Sequence, residues 1–494
     1  MAEGAKLNRG VIAAFGALAV AGVFANAAHH SGLLLREADL WWHIKSGLTM
    51  FASHAVPQVD TFSYTHEGQP WIAKEWLAQV IYAASWLMAG WAGPLLVAAL
   101  SIALASWLIY ARATRDLQPF YAVALVIIGA FLTQGVTVAR PHVLTFPIAV
   151  ALSIALFDAA RSQKTPPWWT LLLTVLWTNL HGSFAIAFLI SGCAFLDYLE
   201  RTRLQNISGA LRWVAYLALT VAATLINPYF FQPYVIALQL AGGIGVMDRI
   251  SEWAPFSAPG NSLMEGGFML AFFLLLKARA RLTLGQILFT LMCFHMMLSH
   301  MRFLYVFFLL VPVALLPEIV EGMPALSVQG WAQRPRDGLE RLAGGYGRAI
   351  SVLALLAVLV YGGWLAMKDH VVPPQNTSVA GAIDFVLQNR DSHPALQKKV
   401  FNDYNMGGPL ILAGIKTYID GRAEQLFLGD FMTQYIDSGE PTGRDALAKI
   451  LSDQGIGWAL FQPEDRRSKF LSEMPDWQKA YADETAVVWE RKGP

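Results

Sequence analysis

Arg36-Glu37-Ala38-Asp39-Leu40-Trp41-Trp42-His43 follows directly on the first long apolar run of the chain, and Pro57-Gln58-Val59-Asp60 and Trp71-Ile72-Ala73-Lys74-Glu75-Trp76 come soon after it. Carboxylates placed against a bilayer are costly unless they meet water, a partner or a substrate. Trp41, Trp42, Trp71 and Trp76 suit a membrane surface, where an indole buries its face and keeps its N–H wet. Two readings fit this stretch. Either it is an interfacial loop whose charges sit in water, or it builds a polar cavity at the membrane surface with Asp39 at its chemical centre.

Composition decides the class around it. Of the 494 residues 55% are hydrophobic and only 14% charged, with a mean hydropathy of +0.43. A soluble chain carries about a quarter charged residues, so the deficit implies a polytopic membrane protein whose partner is the lipid bilayer. The net charge of +1 and the lack of a long basic run give no nucleic-acid signal. Cys193 and Cys293 lie inside apolar runs with no zinc-type spacing. Lys6 and Arg9 precede an apolar run from Val11 to about Leu35, longer than the core of a signal peptide, which predicts a retained anchor.

A helix needs about 20 apolar residues to cross a bilayer. The runs 11–34, 93–111, 119–138, 143–160, 167–181, 184–199, 211–226, 264–276, 283–299, 303–319 and 349–367 predict about eleven transmembrane helices, with 76–90 as an amphipathic interfacial helix. If Lys6 and Arg9 are inside, alternate loops should be basic. They carry Arg112/Arg115, Arg161/Lys164, Arg201/Arg203, Lys277/Arg279/Arg281 and Arg334/Arg336/Arg341/Arg348. The opposite loops hold Asp39 and Glu75, Arg140-Pro141-His142, Asn179-Leu180-His181, Asn227-Pro228-Tyr229, Glu252-Trp253 and His300-Met301-Arg302. The polar residues of functional type thus gather on one face, and eleven crossings put residues 369–494 on that face too. The expected organisation is a transmembrane domain over 1–368, with a long first outer loop at 35–92, and an outer domain over 369–494.

Each member of that constellation has two readings. Arg140 either snorkels to the interface or serves a ligand, in a loop set where the charge rule disfavours arginine. His142 is either a satisfied interfacial histidine or a ligand-binding one. Asn179 and His181 either cap backbone groups left open at helix ends or face a substrate. His300 and Arg302 repeat the basic anomaly. Two outer arginines, each with a histidine close by, suit a phosphate or pyrophosphate, which guanidinium binds through paired hydrogen bonds; the alternative is structural pairing with Asp39, Glu75 or Glu252. Gly242-Gly243-Ile244-Gly245 predicts a movable outer loop before Glu252, and without Gly-Lys-Ser/Thr it is no phosphate-binding loop.

After Met367 the composition changes. Val371–Asn376 reads as a linker, Thr377–Arg390 as a helix, Lys399–Asn402 and Lys416–Asp420 as strands, 443–454 as a helix, Gly457–Phe461 as a strand and 479–491 as a closing hairpin. This predicts a small soluble α/β domain. Asp403 and the Asp420-Gly421-Arg422 turn follow strand ends, where ligands often bind; a turn tied by an Asp–Arg pair explains the second equally well. Asn376-Thr377-Ser378 is a glycosylation sequon by pattern only.

A first span, a long outer loop opening on an acidic residue, many further spans and a soluble outer domain resemble the GT-C fold. This is the architecture of integral-membrane glycosyltransferases that use polyprenyl-phosphate-linked sugars, among them the protein O-mannosyltransferases and the aminoarabinose transferases of lipid A. More narrowly, Asp39-Leu40-Trp41-Trp42-His43, Pro57 with Asp60, Glu75-Trp76, Phe401-Asn402-Asp403-Tyr404 with Gly407-Gly408, and Ile419-Asp420-Gly421-Arg422 resemble poorly characterised bacterial members of that superfamily. The resemblance covers nearly the whole chain and implies little about the substrate. It implies an enzyme of the inner membrane with a catalytic base in the first periplasmic loop. Asp39 matches that position and Glu37 is the second candidate. It further implies a polyprenyl-phosphate sugar as donor, and a lipid, glycan or protein of the cell envelope as acceptor.

An inverting transfer needs a carboxylate to deprotonate the acceptor hydroxyl and cations to steady the departing phosphate. Arg140, Arg302, His300 and His142 are the candidates for the donor phosphate, and Trp42, His43, Glu75, Asn179, His181 and Glu252 for substrate contacts. Some relatives use a divalent cation. Glu37, Asp39, His43 and Glu75 would suit one, without tight ligand spacing. The alternative function is a non-catalytic or transport protein binding lipid-linked saccharide, which should show polar mid-span residues and an internal repeat. The spans here are mostly apolar.

Overall fold

The computed structural model describes residues 9–241, 262–332, 338–367 and 371–493. Every apolar run singled out in the sequence coincides with a helix. Eight helical stretches are long and apolar enough to cross a membrane: Arg9–His29, Ala92–Ala113, Pro119–Val136, Pro141–Arg161, Gly182–Thr202, Ile207–Thr224, Met301–Gly322 and Glu340–Ala366. The helices Thr170–Leu180, Ser262–Ala278 and Leu284–Ser299 have 11, 17 and 16 residues. Among the described residues, eight stretches are thus long and apolar enough to cross, against about eleven expected. Residues 76–90 form the helix Trp76–Ala89.

The chain gathers into two compact units. One comprises Met1–Leu34, Leu95–Phe230 and Arg249–His370; the other comprises Leu35–Pro94, Phe231–Asp248 and Val371–Pro494.

In the first unit, charged residues collect at one end of the helices. Arg112 pairs with Asp158 at 2.9 Å and with Asp116 at 2.6 Å, and Arg115 reaches Asp158 at 2.8 Å. Arg201 pairs with Asp197 at 2.7 Å and with Glu318 at 2.8 Å, while Arg161 pairs with Glu318 and Glu321. These are the C-terminal turns of Ala92–Ala113, Phe146–Arg161, Ala185–Thr202 and Val311–Gly322. Cations are favoured there by the helix dipole, and each finds a carboxylate as well.

The second unit has a four-stranded sheet, β1 (Lys399–Asn402), β2 (Ile456–Phe461), β3 (Trp477–Ala482) and β4 (Val487–Arg491), in the order β1-β2-β4-β3. β1 and β2 are parallel and the other pairs antiparallel. Its core contains Val386, Val400, Leu410, Trp458, Leu460 and Val488. The helices Ala380–Asn389 and Arg444–Asp453 match expectation; Asp430–Asp437 and Arg466–Ser472 were not foreseen. Two expectations are corrected. The helix begins at Ala380 rather than Thr377, because Val379 takes a left-handed φ of 42° after the short turn Gln375–Ser378. Lys416–Asp420 is no strand of the sheet. It makes one parallel bridge, Ser63 to Thr417, and the Asn402 side chain accepts from Tyr418 N at 2.9 Å and donates to Ile419 O at 2.8 Å. Its backbone partners are a loop and a side chain, so no ladder extends.

That bridge belongs to a broad junction between the loop 57–75 and the C-terminal segment. The Tyr64 hydroxyl donates to Val400 O at 2.6 Å, and Gln425 exchanges two 3.2 Å bonds with the Ile72 backbone. Lys74 pairs with Glu424. At its centre Arg422, with 1% of its side chain exposed, donates to Asp60 at 2.5 Å and to both oxygens of Asp420 at 2.8 Å. Asp60 and Asp420 are fully buried. The guanidinium also lies over Phe62 and Trp71, 5.1 and 4.9 Å from their centroids. Breaking a buried pair by removing one partner costs about 3–5 kcal/mol. Arg422→Leu strands two carboxylates and should lower the unfolding free energy by about that much, whereas Asp60→Asn leaves the Arg422–Asp420 pair intact and should cost less. Chemical denaturation of both variants in detergent checks the order.

Candidate functional site

Asp39 opens the helix Asp39–Ser53, where a carboxylate is stabilised by unpaired N–H groups and the dipole. It is 8% exposed, and the Trp42 indole, one turn on, donates to its Oδ1 at 2.9 Å. Glu37 sits just before the helix and is half-buried. The next residue, His43, is buried and stacks beside Trp42 at 3.7 Å between centroids. Its Nε2 lies 3.7 Å from a Glu75 oxygen and its Nδ1 3.3 Å from Gln79 Nε2. Gln79 in turn accepts from Ser46 at 2.7 Å. Trp71 meets Trp42 edge-on at 6.3 Å. The packing of Asp39–Ser53 along Trp76–Ala89 thus gathers Asp39, Trp42, His43 and Glu75. Glycines of the C-terminal segment reach the same helix start: a methyl on Gly408 would strike the Ala38 carbonyl, and one on Gly421 the Asp39 carboxylate.

Arg140, His142, Asn179, His181, His300 and Arg302 lie in the first unit, at or beside three breaks of one kind. Arg140, His181 and His300 each hold an extended backbone, and each is followed by a 3₁₀ turn: Pro141–Thr145, Gly182–Phe184 and Met301–Phe303. His142 stands 6.0 Å from His181 and 6.0 Å from Tyr305, centroid to centroid, and Tyr305 stacks on Phe146 at 4.5 Å. His181 Nδ1 lies 2.8 Å from the Ser183 hydroxyl. Asn179 donates to Val175 O at 2.7 Å and to Ile226 O at 2.9 Å. Arg302 lies over its neighbour Phe303 at 5.1 Å. Glu252 falls outside the described residues.

The turn that carries Asp420 and Arg422 is tied by an Asp–Arg pair, the simpler of the two readings of its sequence, with Asp60 added. Asp403 is tied as well: its Oδ1 accepts from Asn405 N at 2.9 Å, and Arg467 reaches its Oδ2 at 3.3 Å. Burial raises the Asp403 pKa, partly offset by Arg467. Among the described residues no three His, Cys, Asp or Glu side chains gather as a metal site. Sequence reasoning missed Gly421 as a contact of Asp39 and Asp60 as the partner of Arg422.

No protein-family pattern matches this sequence, and no curated protein matches it. Its fold does resemble solved structures. The Archaeoglobus fulgidus oligosaccharyltransferase in its apo form aligns over 89% of this chain and 69% of its own, with 10% identity and a TM-score of 0.49. ArnT from Cupriavidus metallidurans bound to undecaprenyl phosphate aligns over 96% and 99%, with 15% identity and a TM-score of 0.48. At such identities and scores, function has to be argued from this chain's own residues.

Beside the tied turn, Tyr418 packs against Phe401 and Phe431 at 4.6 and 5.0 Å, and burial pushes its pKa up to about 12. A phenol whose folded pKa is raised contributes its full stability below the unfolded value near 10 and loses it as pH rises towards 12. Unfolding should therefore become easier from about pH 10 to 12, by about 1.4 kcal/mol per pH unit at most. Tyr418→Phe should flatten that slope in a pH series of denaturation curves.

Proposed function

We propose that the chain is a GT-C-type glycosyltransferase of a bacterial inner membrane, with residues 369–494 on the periplasmic side. It moves a sugar from a polyprenyl-phosphate donor to an envelope acceptor, with Asp39 as general base. The observation that supports the reading best is a buried carboxylate at a helix start, just past the first membrane helix, oriented by an indole N–H. In an inverting step the acceptor hydroxyl gives its proton to Asp39 while its oxygen bonds to the anomeric carbon. The bond from that carbon to the phosphate oxygen breaks, and the lipid phosphate departs with the electron pair. Arg140 and Arg302 are assigned to the phosphate, with His142 and His300 beside them. The helix starts after the Arg140 and His300 breaks favour an anion in the same way. Trp42, His43, Glu75, Asn179, His181 and Glu252 are assigned to the substrates, and Glu37 is the reserve base.

The test is Asp39→Asn in the purified full chain. Radiolabelled undecaprenyl-phosphate sugars are offered with an envelope extract as acceptor source. Transfer should fall by about 10²–10⁴-fold, the usual worth of a general base, with the unfolding midpoint retained. Normal transfer by the Asn variant sinks the assignment.

A further inference from the structure

The glycines packed on the start of the Asp39–Ser53 helix and on the Asp420 turn differ in what a side chain would strike. A methyl on Gly408 would run into the backbone carbonyl of Ala38. A methyl on Gly407 would run into the Ile419 carbonyl and the Asp420 Cα, at 2.6 and 2.8 Å. Backbone atoms in a close-packed interior yield only if whole segments shift. A methyl on Gly421 would instead meet Asp39 Oδ1, then Asp39 Cγ at 2.8 Å and Trp42 Nε1 at 3.0 Å. Those atoms are the two ends of the Trp42–Asp39 hydrogen bond, and all belong to side chains. Gly421 is not among the glycines with a left-handed φ, so what glycine supplies there is room. The turn itself is pinned. Arg422 N and Nε both donate to Asp420 Oδ1, at 3.1 and 2.8 Å, and the guanidinium is anchored on Asp60.

The geometry points to the Asp420-Gly421-Arg422 turn as the seat of the Asp39 carboxylate. Gly421 is a positioning residue that holds Asp39 in the rotamer facing the Trp42 indole, and the buried ion pairs keep the turn at contact distance. The functional meaning rests on Asp39 being the base; the seating does not. A base must stand within hydrogen-bond reach of the proton it takes, and a misplacement of about 1 Å costs on the order of 10²-fold in rate. A seat fixed from the C-terminal segment makes that segment part of the catalytic apparatus.

The experiment uses the full chain in detergent and N,N′-dicyclohexylcarbodiimide, an apolar reagent for carboxyl groups in shielded sites. Modification of the Asp39 peptide is followed by mass spectrometry, with Asp39→Asn as the blank. Gly421→Ala should speed modification of Asp39 by about fivefold, the order expected for one lost hydrogen bond, at an unchanged unfolding midpoint. Gly408→Ala should lower the midpoint. Trp42→Phe should match the gain of Gly421→Ala, and the double variant should exceed neither, since both break one contact. The seat is overturned if Gly421→Ala modifies at the wild-type rate, if it lowers the midpoint as Gly408→Ala does, or if the two gains multiply.

Sugar transfer then separates the two ideas. In that assay Gly421→Ala should lower kcat with KM retained. If Asp39→Asn transfers normally while Gly421→Ala exposes Asp39, the base reading falls and the seat stands. If Asp39→Asn is inactive while Gly421→Ala modifies at the wild-type rate, the seat falls and the base stands.

Discussion

A guanidinium sealed from water is tolerable only with its counter-charges in place, and Arg422 dictates much of the second unit for that reason. Taking each ion out of water costs several kcal/mol, which attraction repays only when the geometry is good and the remaining lone pairs are used. Both conditions are met. Asp60 accepts from Phe62 N at 2.8 Å and from the Ser63 backbone and hydroxyl, besides Arg422. Asp420 accepts from the Thr417 hydroxyl at 3.1 Å and from Arg422 through three donors. One positive and two negative charges leave an excess of one negative charge, spread over backbone N–H groups. The loop cannot lift from the C-terminal segment without stranding these groups. The partners stand 362 residues apart in sequence, so this contact closes only after nearly the whole chain has been made.

The first unit obeys a different electrostatic rule. The ion pairs of Arg112, Arg161 and Arg201 lie at helix C-termini, while His142, His181 and Tyr305 meet where Phe146–Arg161 and Ala185–Thr202 begin. One and the same helix, Phe146–Arg161, carries the histidine cluster before its first turn and an arginine in its last. Its 16 residues span about 24 Å. In Phe146–Arg161 and Ala185–Thr202 the histidines thus precede one end and an arginine closes the other.

What the sequence made legible follows from range. Apolar runs and turn residues act locally, so every helix built on an apolar run was readable, as were β1, β2 and the final hairpin. Asp39, Trp42, His43 and Glu75 were singled out because unusual residues crowd one short stretch. Failures arose where a distant partner decided the local state. Lys416–Asp420 has the composition of a strand, yet its hydrogen bonds go to the loop at 62–64 and to Asn402. Val379 has no local reason to take a left-handed φ. Gly421 reads as an ordinary turn glycine until Asp39 is seen against it. The charge rule marks Arg140 and Arg302 as unusual for their loops, but it carries no information on what they contact.

Loops that hold reactive groups are mobile unless something rigid supports them, and a bilayer surface offers no rigid support. The loop that carries Asp60 and leads into Glu75 has no sheet of its own; it has isolated bridges, Val59 to Pro70 and Ser63 to Thr417. Rigidity is supplied instead by the sheet core around Trp458 and Val400, passed through Asn402 to the backbone at 418–419 and through Asp420 and Arg422 to Asp60. Glycine is the residue that permits the last approach, because a pinned turn can touch a carboxylate closely only if it has no Cβ of its own. On this logic the C-terminal segment is less a cover than a foundation. It leaves the Asp39 carboxylate a single place to be, as the proposed role of general base demands.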